Sequence, residues 1–125
     1  MLTVADVIKE LEVIVEEKGD GYCYDNDPKT RRTREIKKSG GSKIACFYSH
    51  YDGTPGCIVG AFIHRMNPDF DLTKVDGGLV RNILNDAGIE TEYEAATLLL
   101  RCQGAQDLGD TWRQALDQAM ERANV

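Results

Sequence analysis

No stretch of this sequence is apolar for long enough to span a bilayer: the longest, Cys57 to Ile63, falls far short of the ~20 residues a spanning helix needs. Near the start, Asp6, Glu10 and Glu12 stand where a secretory signal would be basic and then apolar, so a cytoplasmic location and no membrane partner are expected. Cysteine is sparse too. The four, at positions 23, 46, 57 and 102, have neither C-x-x-C spacing nor the density of a secreted disulfide scaffold, which makes reduced thiols the expectation. There is no internal repeat and no low-complexity tract.

What is present is ordinary in amount and unusual in placement. At 125 residues, 42% of them hydrophobic and 29% charged, the chain has the size and composition of one domain, 1–125, able to bury its own core. Its formal charge is −6, yet seven of the fifteen bases fall between Lys29 and Lys43 against one acid, Glu35. The remainder keeps eight bases against twenty acids, a net of −12. Such segregation gives the molecule a dipole that can orient an incoming partner, whereas the plainer alternative is a solvated loop attracted to its own acidic body.

Periodicity places the elements. Thr3 with Asp6 reads as a capping box opening a helix through Val7, Ile8, Leu11, Ile14 and Val15 to Gly19. Gly21 to Tyr24 and Lys43 to Tyr51 are aromatic and β-prone, which predicts an antiparallel hairpin joined by a long basic loop at about 26–42. Thr54 and Pro55 read as the start of a second helix from about Pro55 to Met66, stopped by Asn67-Pro68. A third helix runs from Leu79 to Ala87 before Gly88, and Thr91 with Glu94 reads as a capping box for a fourth through Cys102. Gly104 and Gly109 are expected to separate the fourth helix from a fifth that starts at Thr111 and Gln114 and carries Trp112, Ala115, Leu116, Ala119, Met120 and Ala123. The expected class is therefore α+β, about five helices packed around a short antiparallel β-hairpin.

Three constellations carry possible chemistry. If Pro55 begins the second helix, Cys57 sits in its first turn, where free amides favour a thiolate; His64 then shares its face, and His50, assisted by Asp52, approaches the same end. The plainer alternative is that Cys57 is a small packing residue and the histidines are satisfied or exposed. Cys23, Cys46, His50 and Cys57 would converge if the hairpin pairs, in a donor set that suits zinc but lacks the tight Cys knuckle of specific zinc motifs. The loop bases Arg31, Arg32, Arg34, Lys37, Lys38 and Lys43 are candidates for a partner or for phosphate, with no aromatic residue in the loop itself to stack on bases. Asp25, Asn26 and Asp27 begin like a calcium loop, but Thr30 and Ile36 replace its required glycine and glutamate. The glycine pairs at 40–41 and 77–78 have neither dinucleotide nor Walker spacing, and no cofactor is expected.

Tyr48 to His50, Pro55-Gly56-Cys57-Ile58-Val59-Gly60, Gln103, Gln106-Asp107, Gly109 to Trp112 and Ala115-Leu116 together resemble a group of small uncharacterised proteins encoded by phages of actinobacteria and related prophages. The resemblance spans roughly Tyr48 to Ala123; the basic loop departs from it. It implies a phage-encoded accessory protein of the host cytoplasm and brings no activity or site residue. The leading functional expectation is a non-enzymatic protein that binds a host protein or assembles with itself. The alternatives are a binder of nucleic acid or of a phosphate-rich nucleotide through the basic loop, and a cysteine-dependent enzyme using Cys57.

Overall fold

The computed structural model describes residues 1–37, 47–75 and 78–125. Its first helix, α1 (Val4–Lys18), opens on a closed capping box: the Thr3 hydroxyl accepts from the Asp6 amide while the Asp6 carboxylate accepts from the Thr3 amide. Val7, Leu11, Ile14 and Val15 form its buried stripe, and Gly19, at φ 92°, ends it in a conformation that other residues adopt only under strain. Five further helices follow among the described residues: α2 (Pro28–Lys37), α3 (Ile58–Met66), α4 (Val80–Asp86), α5 (Tyr93–Asp107) and α6 (Trp112–Arg122). Single 3-10 turns lie at Tyr24–Asn26 and Leu72–Lys74.

Among the described residues the expected hairpin does not form, and the class is all-α rather than α+β. Among the described residues no strand occurs, only isolated bridges between Leu2 and Thr91 and between Ser49 and Pro55. The aromatic residues that looked β-prone go into the core instead. Tyr22 packs edge-on against Trp112 at 4.6 Å between centroids, and Tyr24, 1% exposed, turns its hydroxyl to accept from the Phe47 amide. Burial of these rings against distant partners overrides a local preference for extended backbone. The expected loop at about 26–42 is helical over 28–37: Asp27 accepts from the Lys29 amide and Pro28 takes the first helical position, a start signal as strong as the ones the periodicity identified. Lys38, Lys43, Cys46 and most of the expected second strand lie outside the described residues.

Two other boundaries move. At Thr91 the chain bridges to Leu2 through the Glu90 carbonyl and the Glu92 amide, α5 begins after Glu92 without a side-chain cap, and Gly104 lies inside α5. Thr111 and Gln114 do close a capping box at the start of α6 after Gly109 reverses the chain at φ 98°. The α5–α6 pair forms an antiparallel platform on which α1 and α3 pack, enclosing Leu11, Ile58, Phe62, Leu98, Leu99, Trp112 and Leu116. Arg113 clamps Glu12 bidentately at 2.7 and 3.0 Å, tying α6 to α1.

The second expected helix begins three residues later than Pro55 because its first turn is capped from across the core. Ile58 and Val59 donate their amides to the side-chain carbonyls of Gln106 and Gln103, at 2.8 and 3.4 Å, and Gly60 donates to the Cys57 sulfur. Gln106 Oε1 accepts in addition from the Trp112 indole at 3.0 Å. On the other side, the 47–49 segment presses directly on α3: a Cβ at Gly60 would lie 2.2 Å from the Tyr48 carbonyl oxygen, and one at Gly56 would lie 2.3 Å from that of Phe47. Tyr48, Gly56, Cys57, Gly60, Gln103, Gln106 and Trp112 thus meet at one buried junction.

Replacing Gln106 with Ala strands two buried donors, the Ile58 amide and the Trp112 indole, and each orphaned group costs about 1–3 kcal/mol. Chemical denaturation of Gln106→Ala is therefore expected to show a loss of roughly 2–5 kcal/mol; a loss under ~1 kcal/mol would mean the junction re-forms through water.

Candidate functional site

Among the described residues the bases expected on a loop decorate a helix, α2, that rests on the body. Thr30 and Thr33 are fully buried on the inner side of α2. Thr30 Oγ1 lies 3.0 Å from His50 Nε2, and Thr33 Oγ1 accepts from the Tyr51 amide at 2.9 Å while donating to the Lys29 carbonyl. Several of the predicted contact residues are already engaged. Arg34 pairs with Asp25 and Arg32 with Glu35, while Lys37 lies over the Phe47 ring; Lys29, outside that predicted set, pairs with Asp52. The outward face carries Arg31, Arg32, Glu35 and Ile36, all exposed, with Arg31 Nε donating to the Asp25 carbonyl at 3.5 Å. Lys38 and Lys43 lie outside the described residues.

The cysteine readings fare differently. Cys57 is 0% exposed and caps α3 rather than sitting inside its first turn, so the thiol faces no space a substrate could enter. His64, by contrast, is exposed on α3, and His50 is buried. Cys23 donates its thiol hydrogen to the Gly109 carbonyl, and Cys46 lies outside the described residues. Among the described residues no group of three or more His, Cys, Asp or Glu side chains is arranged to hold a metal ion.

What the chain does assemble is a cleft of about 530 Å³, within the range of small-ligand sites. One wall is α1, through Ile14, Glu17 and Lys18; another is the start of α2, through Asp27 and Lys29. The 50–55 turn contributes His50, Thr54 and Pro55, and α3 contributes Ala61, His64 and Arg65. The turn is built by Asp52, which accepts from both the hydroxyl and the amide of Thr54 and pairs with Lys29 at 3.0 Å. Those same contacts, the Thr54 hydroxyl first and Lys29 next, hold its carboxyl well below the usual range.

His50 is the singular member of this set. The ring is 4% exposed, stacks parallel to Tyr24 at 6.1 Å, and uses Nε2 on Thr30, while Nδ1, itself buried, has no hydrogen-bond partner among the described residues. Burial pushes its pKa down, against the pull of Asp27 and Asp52, so the imidazole is neutral at pH 7. Burial would by itself raise Asp27, but the Tyr22 hydroxyl at 2.6 Å and the Lys29 amide outweigh it and hold the carboxyl below its ordinary value. Lys18 lies over the Tyr22 and Trp112 rings at 4.8 and 5.8 Å.

Sequence reasoning grouped His50 and His64 with Cys57, which does not line this cleft, and did not place Lys18, Asp27 or Thr30 beside them. The Asp27-Pro28 dipeptide was the available signal for Asp27 and, through the helix it starts, for Thr30. Nothing local marks Lys18. Comparison with family models, with curated proteins and with solved structures finds no match, so the site stands on its geometry alone.

Because the folded pKa of His50 lies below its ordinary value of 6.5, the unfolded chain takes up a proton first on acidification. The contribution of neutral His50 to stability is complete above 6.5 and is lost as pH falls from there toward the folded pKa. Unfolding free energies measured down the pH scale should fall more steeply below 6.5 for the native chain than for His50→Gln; parallel curves would show that the ring is solvated. Thiol labelling offers a separate check. Cys57 and Cys102 are both 0% exposed and burial pushes the Cys102 thiol up to about 12, so alkylation of the folded chain should modify Cys23 well before either; fast modification of Cys57 would restore the enzyme reading.

Proposed function

We propose that this is a phage-type accessory protein of the host cytoplasm that works by binding, and that it engages an acidic surface of a host protein through the outer face of α2. The observation that carries the reading is the placement of Lys29, Arg31, Arg32, Arg34 and Lys37 on one ten-residue helix of a chain whose net charge is −6. The acidic remainder repels a generic acidic partner, so approach is favoured only with α2 leading. The ion pairs within α2 do not remove it from play: Arg32 and Glu35 are 61% and 67% exposed, and exposed pairs of this kind are worth about 0–1 kcal/mol, little enough to exchange for a partner's carboxylates. Thr30 and Thr33 fix the helix orientation, which limits the ordering cost of association. Ile36, 45% exposed, supplies an apolar element at the same face. Among the described residues no helix is long and apolar enough to cross a membrane, in keeping with a partner met in solution.

Affinity capture from nuclease-treated host lysate, comparing the native chain with the double variant Arg31→Glu and Arg32→Glu, tests this. A discrete protein retained by the native chain, released by moderate salt and lost with the variant is the expected result. Retention of only nucleic acid in untreated lysate would favour the phosphate reading, and concentration-dependent sedimentation abolished by the variant would favour self-assembly. Identical recovery with both chains would remove α2 as the contact.

A further inference from the structure

α5 is apolar on more sides than its neighbours cover. Ala95, Leu98, Leu99 and Cys102 face the core, yet Tyr93, Leu100 and Leu108, at 71%, 45% and 89% exposed, follow one line along its outer side together with Thr97 and Gly104. Glu94 and Arg101 stand seven residues apart on one flank of that line, and among the described residues neither side chain has an ion pair or a hydrogen bond. Gly104 is the second anomaly. It lies within α5, exposed, and a Cβ there would meet nothing within 4 Å beyond its own helix, so no packing inside the chain asks for glycine where alanine would favour the helix. Beside it runs a groove of about 350 Å³ between α5 and α6, lined by Leu100, Gly104, Leu108 and Ala119.

We propose that this face of α5 is the interface of a two-fold symmetric dimer of the chain, with α5 antiparallel to its copy and Tyr93 of each protomer seated over Gly104 of the other. With the axis beside Leu98, Tyr93 comes opposite Gly104, Thr97 opposite Leu100 and Glu94 opposite Arg101, each to within one residue, or ~1.5 Å along the helix. One register therefore serves the ring, the gap that receives it and the two unpaired charges. The two-fold keeps each flank on its own side, so Glu94 and Arg101 of opposite protomers meet, and the pair is made twice. A parallel copy would set Glu94 against Glu94, which is why the antiparallel arrangement is the one the face fits. The Tyr93 ring is already positioned: Arg81 lies over it at 4.5 Å and donates to the Thr97 hydroxyl at 2.9 Å, which limits what association must order. A single helix face falls below the ~1,200 Å² of a standard interface, so the dimer is weak and reversible.

Sedimentation equilibrium of the full chain over a concentration series reads the association, and a thermal melt of each variant reads the fold. The native chain should dimerise reversibly. Glu94→Arg and Arg101→Glu should each weaken the dimer about tenfold, since each sets like charges opposite one another twice, and the double variant should restore it. Gly104→Leu should melt no lower than the native monomer, because leucine favours the helix, and should yet stay monomeric. The Arg31→Glu and Arg32→Glu variant should dimerise as the native chain does, which separates this face from α2. The proposal is overturned if the native chain is monomeric throughout, if the charge-swapped double variant associates no better than either single one, if Gly104→Leu dimerises undiminished, or if the Arg31→Glu and Arg32→Glu variant abolishes the dimer.

Discussion

The first turn of α3 is the constraint on which the rest of the molecule depends. A helix that starts in the interior carries amides with no intrahelical acceptor, and here three of them are answered in succession by Gln106, Gln103 and Cys57. Two of those acceptors come from α5, so α3 can begin only where α5 presents its glutamines, and α6 can start only where Trp112 reaches the same Gln106 oxygen. Removing the side chain at positions 56 and 60 then lets the 47–49 backbone close over the junction. That closure delivers His50 to the edge of the cleft, so the core and the candidate site share one register.

A second constraint is electrostatic. An acidic chain with a basic segment has the choice of projecting that segment into solvent or laying it on the body, and the latter is what occurs: Asp25 and Asp52 receive Arg34 and Lys29. These pairs are partly exposed and contribute little stability singly. Their effect is directional. They hold the charged side of α2 at its margins and leave Arg31 and Arg32 facing outward.

Legibility followed the range of the interaction. The capping boxes at Thr3 and Thr111 and the apolar stripes of α1 and α6 are written within a few residues, and they were readable for that reason. The hairpin was misread because Tyr22 and Tyr24 have the local look of a strand, while their partners, Trp112 and Phe47, lie far along the chain. The same holds for α2, where Asp27 and Pro28 announced a helix that lacks an apolar stripe: its inner face is two threonines, invisible to any count of hydrophobic spacing. At the site, His50 and His64 were recognisable by residue type, but Lys18 joins them only through the packing of α1 on α3, and Cys57 leaves them because its sulfur is turned into the core.

The threonine floor of α2 has one more outcome. Every other α-helix here inserts apolar side chains into the interior, whereas α2 buries only Thr30 and Thr33 and rests on hydrogen bonds and ion pairs. On its own side its hold on the body is polar, through Thr30 to His50 and Thr33 to the Tyr51 amide, and what it covers is aromatic, with Arg34 over Tyr24 and Lys37 over Phe47. The segment with the highest density of positive charge is thus seated by hydroxyl groups, so its orientation is set by the direction of two hydrogen bonds rather than by the fit of an apolar stripe.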